Sequence, residues 1–178
     1  MKIEVAGSAG FCFGVDKAVK VARQVLKENG KAYATGDIIH NPAVMEELTG
    51  AGLVIVSDIS EIPDGSDFII RAHGEPPSSY EGAVEKELVI HDATCSYVHY
   101  IHELVGMLSA EGKKIIIYGT AEHPEIIGIN GRSNNSAIII ENEADARVFE
   151  DRDEFYCLWS CSKYGQNFHS FILSYVVF

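Results

Sequence analysis

Two cysteines and three histidines stand in turns built largely from small or turn-forming residues. Cys12 lies in Gly10-Phe11-Cys12-Phe13-Gly14-Val15, and His40 in Gly36-Asp37-Ile38-Ile39-His40-Asn41-Pro42. His73 lies in Arg71-Ala72-His73-Gly74, Cys95 in Asp92-Ala93-Thr94-Cys95, and His123 in Glu122-His123-Pro124-Glu125. A thiolate is a soft metal ligand and a nucleophile, and the start of a helix stabilises it. Two thiolates from separate turns suit a shared soft metal or an iron–sulfur cluster. The alternative is a pair of small buried hydrophobes, and the spacing is not a C-x-x-C zinc signature. Histidines beside Gly, Asn or Pro lie near solvent and can donate to an anion. Three converging would form a phosphate pocket, whereas any one alone reads more simply as a cap or a surface residue. Glu125, two residues after His123, is a candidate general acid if burial raises its pKa, or simply first-turn helix charge. Asn41 and Thr94 are polar turn residues that bind a ligand or cap.

Other residues carry weaker signals. His99 and His102, with Glu103 beside them, lie three apart on one helix. That spacing places two ligands on one face, but a solvated helix face is the simpler reading. Cys157 and Cys161 are four apart in a segment without a clear pattern around them. The glycines at 119, 128 and 131 fit no dinucleotide or P-loop fingerprint.

The reactive residues need a scaffold that brings turns together, and the periodicity supplies one. Lys2–Ala6, Lys31–Thr35, Leu53–Val56, Asp67–Arg71, Glu87–His91, Lys113–Tyr118 and Ala137–Ile140 read as strands. Val15–Glu28, Pro42–Leu48, Tyr97–Ala110 and Glu143–Phe149 read as helices. Strands alternating with helices predict an α/β fold with mainly parallel sheets. Each reactive turn then follows the carboxyl end of a strand, where open parallel sheets bind ligands. The pattern divides into a first α/β unit over 1–94, a second, incomplete unit over 95–154, and an atypical aromatic tail over 155–178.

The chain has 178 residues, 47% of them hydrophobic, with Lys plus Arg 14 against Asp plus Glu 26, a formal net charge of −12. A chain this acidic is not expected to wrap nucleic acid, although a local pocket can oppose the global sign. No apolar run reaches the ~20 residues of a membrane span, and the N-terminus lacks the apolar core of a signal peptide. A cytoplasmic location is therefore expected, where cysteines serve as ligands, nucleophiles or core rather than disulfides. The tail holds eight of the chain's aromatic residues and a single Lys or Arg, Lys163. It reads either as a final core strand with a hydrophobic closing segment or as a frame-shifted end.

GFCFGVDKA, HNP, RAHG, DATC and EHPEIIGING, in this order and at these intervals, resemble the 4-hydroxy-3-methylbut-2-enyl diphosphate reductases, the LytB/IspH family, over roughly residues 1–150. The resemblance implies three similar α/β units arranged as a trefoil around an oxygen-sensitive [4Fe–4S] cluster. It implies reductive dehydration of an allylic diphosphate alcohol to isopentenyl and dimethylallyl diphosphate, the last step of the non-mevalonate isoprenoid pathway. By the same resemblance, Cys12 and Cys95 match cluster ligands, His40, His73 and His123 match diphosphate-binding residues, and Glu125 matches the acid that delivers a proton. A ferredoxin or flavodoxin is the implied electron donor. Ser96 stands where many members have Pro, and Trp159-Ser160-Cys161-Ser162 stands where the family has Gln-Thr-Thr. The chain ends where the third unit would begin, which implies impaired turnover. The alternative is a non-catalytic metal- or ligand-binding fragment of the family.

Overall fold

The computed structural model describes residue 4, residues 10–147, and the strand segments 154–159 and 173–177. Most of the predicted strand Lys2–Ala6 and all of Cys161 lie outside the described residues. Helix α1 (Phe13–Asn29) forms because Ala18, Val19, Ala22, Val25 and Leu26 recur at helical spacing and are all buried. It stops at Gly30, which adopts φ +74° and returns its N–H to the Leu26 carbonyl. There follow β1 (Ala32–Ala34), α2 (Pro42–Gly50), β2 (Leu53–Ile55), β3 (Asp67–Ile70), α3 (Pro77–Glu85) and β4 (Val89–Asp92). Their strands form one parallel sheet in the order β2-β1-β3-β4.

Strand alternation divides the core of this sheet between its two faces. Ala32, Ala34 and Ile69 pack against helices α1 and α2. Tyr33, Phe68 and Ile70 point the other way, toward Ile62, Ala83 and Leu88. A parallel sheet needs both faces covered, and the loops at the carboxyl ends of its strands are left to carry function.

The second group comprises α4 (Ser96–Ala110), β5 (Lys114–Tyr118), α5 (Pro124–Gly131), β6 (Ile138–Ile140), α6 (Glu143–Ala146), β7 (Glu154–Trp159) and β8 (Leu173–Val177). Ile115 and Ile117 of β5 pack with Ile101, Val105 and Leu108 of α4 and with Ile126 and Ile129 of α5. The sheet order is β6-β5-β7-β8, parallel except for the last pair. The stretch set apart by composition thus contributes to this sheet. Lys114 pairs with Phe155 and Tyr118 with Trp159.

The two sheets are tied together beside the site. A Cβ placed on Gly131 of α5 would fall 2.7 Å from the Pro76 Cβ, so α5 approaches the start of α3 as closely as glycine permits. Within the first sheet, Gly52 has φ +115°, and a Cβ there would fall 2.2 Å from the Gly30 carbonyl oxygen. Gly52→Ala is expected to lower unfolding stability by about 2 kcal/mol through backbone strain and that clash. Urea denaturation checks this, and an unchanged midpoint would contradict it.

Candidate functional site

His40, His73 and His123 come from three separate strand ends and meet. Their ring centroids are 4.7 Å apart for His40 and His73, 5.8 Å for His73 and His123, and 6.1 Å for His40 and His123. His40 follows β1 on an exposed turn, and the next residue, Asn41, caps α2 by accepting the Val44 N–H at 3.2 Å. Of its two readings, Asn41 is therefore a cap. His73 follows β3. His123 caps α5, its Nδ1 accepting the Glu125 N–H at 3.3 Å. That bond leaves the proton on Nε2 when the ring is neutral. Burial first, then the positive fields of His40 and Arg71, lower the His123 pKa. A half-buried neutral imidazole with one N–H to offer is an anion donor that needs no counter-charge.

Arg71 adds a fixed positive charge beside this cluster. Its Nε donates to Glu75 Oε1 at 2.8 Å. Its guanidinium lies against Gly36, where a Cβ would be 2.5 Å from Nη1. Glu75, 4% exposed, also accepts from Thr35 Oγ1 at 2.7 Å and Ser79 Oγ at 3.2 Å. Its carbonyl accepts from Arg132 Nη2 at 3.2 Å. One carboxylate thus joins the ends of β1 and β3 to α3, and its backbone reaches the second sheet. A buried carboxylate needs such partners, and without Glu75 the histidine-bearing turns lose their common anchor. Sequence reasoning gave neither Arg71 nor Glu75 a role. The signal available was an i,i+4 Arg–Glu pair spanning the His73-Gly74 turn.

The cysteines gather on the same side. Cys12 caps α1 and is exposed, while Cys95 caps α4 and is buried. A Cβ placed on Gly14 would fall 2.6 Å from Cys95 Sγ. The Cys95 thiol therefore rests on the first turn of the helix that Cys12 begins, and Gly14 makes the approach possible. Phe13 and Tyr97 pack edge to face at 5.2 Å across the same two helix starts. The Lys17 Nζ donates to the Thr94 carbonyl at 2.9 Å, and the Cys95 N–H donates to Ala72, one residue before His73. Thr94 is buried, its N–H donating to Asp92 Oδ1 at 2.8 Å. Its polar backbone groups serve the turn.

Glu125 stands in the first turn of α5. Burial alone raises its carboxyl pKa from 4.5 to about 7. Near neutrality it retains a proton that an exposed carboxyl would have lost.

The weaker candidates separate. His99 is exposed and pairs with Glu103 at 3.3 Å, whereas His102 is 3% exposed. The expectation of a solvated helix face thus holds for His99 and fails for His102, which turns toward α5. The backbone of Cys157 lies in β7, opposite Ile116. Among the described residues no group of three or more His, Cys, Asp or Glu is placed to hold a metal ion. No helix among the described residues is long and apolar enough to cross a membrane.

Comparison with known proteins gives this arrangement a family. The profile of the LytB protein family matches residues 3–170. The chain belongs to the LytB family. A 4-hydroxy-3-methylbut-2-enyl diphosphate reductase from Clostridioides difficile (strain 630) is 42% identical to this LytB chain over 160 residues, 89% of the chain and 57% of the relative. The enzyme of that name from Aquifex aeolicus (strain VF5) is 44% identical over 147 residues, 80% of the chain and 50% of the relative. Among solved structures, the E-1-hydroxy-2-methyl-but-2-enyl-4-diphosphate reductase from Plasmodium falciparum superposes with a TM-score of 0.81 at 31% identity, covering 86% of this chain and 49% of that one. A structure described as (E)-4-hydroxy-3-methyl-but-2-enyl diphosphate reductase, the terminal enzyme of the non-mevalonate pathway, has a TM-score of 0.74 at 38% identity, covering 93% and 59%. The LytB chain spans about half the length of the curated relatives it matches. The α/β architecture expected from the sequence is the architecture of these structures.

Proposed function

We propose that this chain carries the diphosphate-binding histidines and two of the cluster cysteines of a 4-hydroxy-3-methylbut-2-enyl diphosphate reductase. The observation that carries the reading is the meeting of His40, His73 and His123 within 4.7–6.1 Å on an otherwise acidic chain. Inorganic and organic diphosphates are the anions whose charge and breadth match three imidazole donors backed by Arg71. The family relationship narrows the diphosphate to the allylic alcohol that the relatives' names specify.

The donor set at the neighbouring helix starts fits part of an iron–sulfur cluster. Cys12 and Cys95 stand at the starts of α1 and α4, and the Cys95 thiol packs against Gly14, two residues after Cys12. Thiolates are the ligands such clusters take. When bound, the cluster supplies the two electrons of the reduction, received from a reductant of the ferredoxin or flavodoxin class. The chain's own residues do the rest. His40, His73 and His123 hold the diphosphate by N–H donation, fixing the hydrocarbon end of the substrate. Arg71, held by Glu75, keeps the local field positive. Glu125, in the first turn of α5, holds a proton near neutrality and is the residue assigned to give it to the departing hydroxyl. In the overall change, the allylic C–O bond breaks, two electrons and two protons enter, and water leaves.

Anaerobic reconstitution with iron and sulfide tests this reading. The wild-type chain is expected to take up iron with the broad visible absorbance of a cluster, and Cys12→Ser and Cys95→Ser are each expected to lose it. Equal iron in all three proteins would remove the cysteines from the site. Failure of the wild type to bind inorganic pyrophosphate would remove the histidines.

A further inference from the structure

His102 has no part in the reading above, yet among the described residues it is a buried histidine held against two glycines. It lies on α4, 3% exposed. A Cβ placed on Gly74 would fall 2.6 Å from its Cε1, and one on Gly128 would fall 3.2 Å from its Nε2. The ring therefore fills a flat slot between two bare Cα atoms. Gly74, at φ +71°, directly follows His73. Gly128 belongs to α5, whose cap is His123. A Cβ on Gly128 would also lie 3.7 Å from the His73 carbonyl oxygen. The His102 ring thus packs against the residue that follows His73 and against the helix that His123 caps.

The choice of residue is informative. The His102 Nε2 is buried without a hydrogen-bond partner. Leaving a buried polar atom unsatisfied lowers stability, and a core leucine would avoid it. A leucine, however, is branched and thick, and the His102 ring lies where even a Cβ on Gly74 or Gly128 would crowd it. Burial, with the nearby positive charge of Arg132, lowers the pKa of the ring from 6.5 to about 4. It is therefore a neutral spacer and adds no charge to the cluster above it.

We propose that His102 is a positioning residue for the anion site: its ring sets the separation between the His73 turn and helix α5, and so the distance between the His73 and His123 donors. This inference rests on the reading of the histidine cluster as a diphosphate site. The test uses the full chain and inorganic pyrophosphate as the probe, with calorimetry for affinity and nitrogen-15 resonances of the His73 and His123 rings for geometry. His102→Ala removes the spacer. Gly128→Ala presses on the spacer without replacing it. Both are expected to weaken pyrophosphate about tenfold or more, as misplaced donors do, and to shift the His73 resonances. His102→Phe keeps a planar ring in the slot and is expected to recover most of the affinity and the wild-type shifts. If His102→Ala does not fold, Gly128→Ala and His102→Phe decide the matter between them. Wild-type affinity in Gly128→Ala and His102→Ala overturns the proposal, as does a His102→Phe chain that binds as poorly as His102→Ala. A wild-type chain that does not bind pyrophosphate overturns the diphosphate reading itself, and this inference with it.

Discussion

A chain carrying His40→Gln, His73→Gln and His123→Gln together is expected to bind inorganic pyrophosphate about a thousandfold more weakly than the wild type. Hydrogen bonds to charged groups contribute roughly 1.5–3 kcal/mol each, and a tenfold change in affinity is about 1.4 kcal/mol. Each imidazole lost therefore weakens binding by at least about tenfold. The three rings are close enough to share one ligand, so the losses are expected to accumulate. His40 is exposed and His73 half-buried, so glutamine at either position leaves the core intact. His123 also caps α5, and its replacement is expected to lower stability by about 1 kcal/mol in addition. Circular dichroism separates that effect from binding. Retention of affinity within about threefold, some 0.6 kcal/mol, would show that the anion sits elsewhere. Arg71→Lys offers a control on charge alone. It keeps the cation but loses the planar fork that Glu75 holds, so a smaller loss is expected.

Much of this site was legible in the sequence because its parts are local. Gly10, Gly14, Pro42, Gly74 and Pro124 punctuate the sequence, and each has a Cys or His within three residues. The helices with clear apolar periodicity, α1 and α4, begin and end within two residues of the expected bounds. Helix α3 starts Pro-Ser-Ser, with Pro76 before it, and α5 contains Gly128 and Gly131. Both carry weak helical patterns because tertiary contact, rather than propensity, holds them. Gly128 and Gly131 are glycine because His102 and the Pro76-Pro77 segment press against them. That reason lies in another part of the chain and leaves no local mark. His102 was misread for the same cause. Its spacing from His99 describes one helix, while its burial depends on a second helix and a loop. Glu75 shows the limit from the other side. Its four partners come from β1, β3, α3 and beyond α5, and no window of sequence contains them. Convergence of separate turns is a property of topology, which periodicity predicts only as a class.

Glu125→Gln is expected to stabilise the protein above pH 7 and to impair proton delivery there and below. The carboxyl titrates near 7 when folded and near 4.5 when unfolded. Between these values the folded state binds more protons, so stability falls as pH rises through that window. The full difference is about 3 kcal/mol, since one pKa unit corresponds to 1.36 kcal/mol. Below pH 4.5 the contribution is fully present, and above 7 it is lost. A neutral amide of nearly the same shape has no such transition. The Glu125→Gln chain is therefore expected to show a flatter stability profile between pH 4.5 and 7.5 and to exceed the wild type at its upper end, as urea denaturation at a series of pH values will show. Parallel profiles for the two proteins would mean that Glu125 is solvated and unsuited to hold a proton at neutral pH. The chemical consequence runs the other way. General acid catalysis contributes typically about 10²–10⁴-fold, so in any assay of allylic diphosphate reduction the glutamine variant should lose activity by at least about a hundredfold with pyrophosphate affinity little changed. Stability gained and activity lost in one substitution is the signature of a carboxyl kept buried for its proton. A residue that served only to start helix α5 would give neither effect, because glutamine is accepted in a first helical turn almost as well as glutamate.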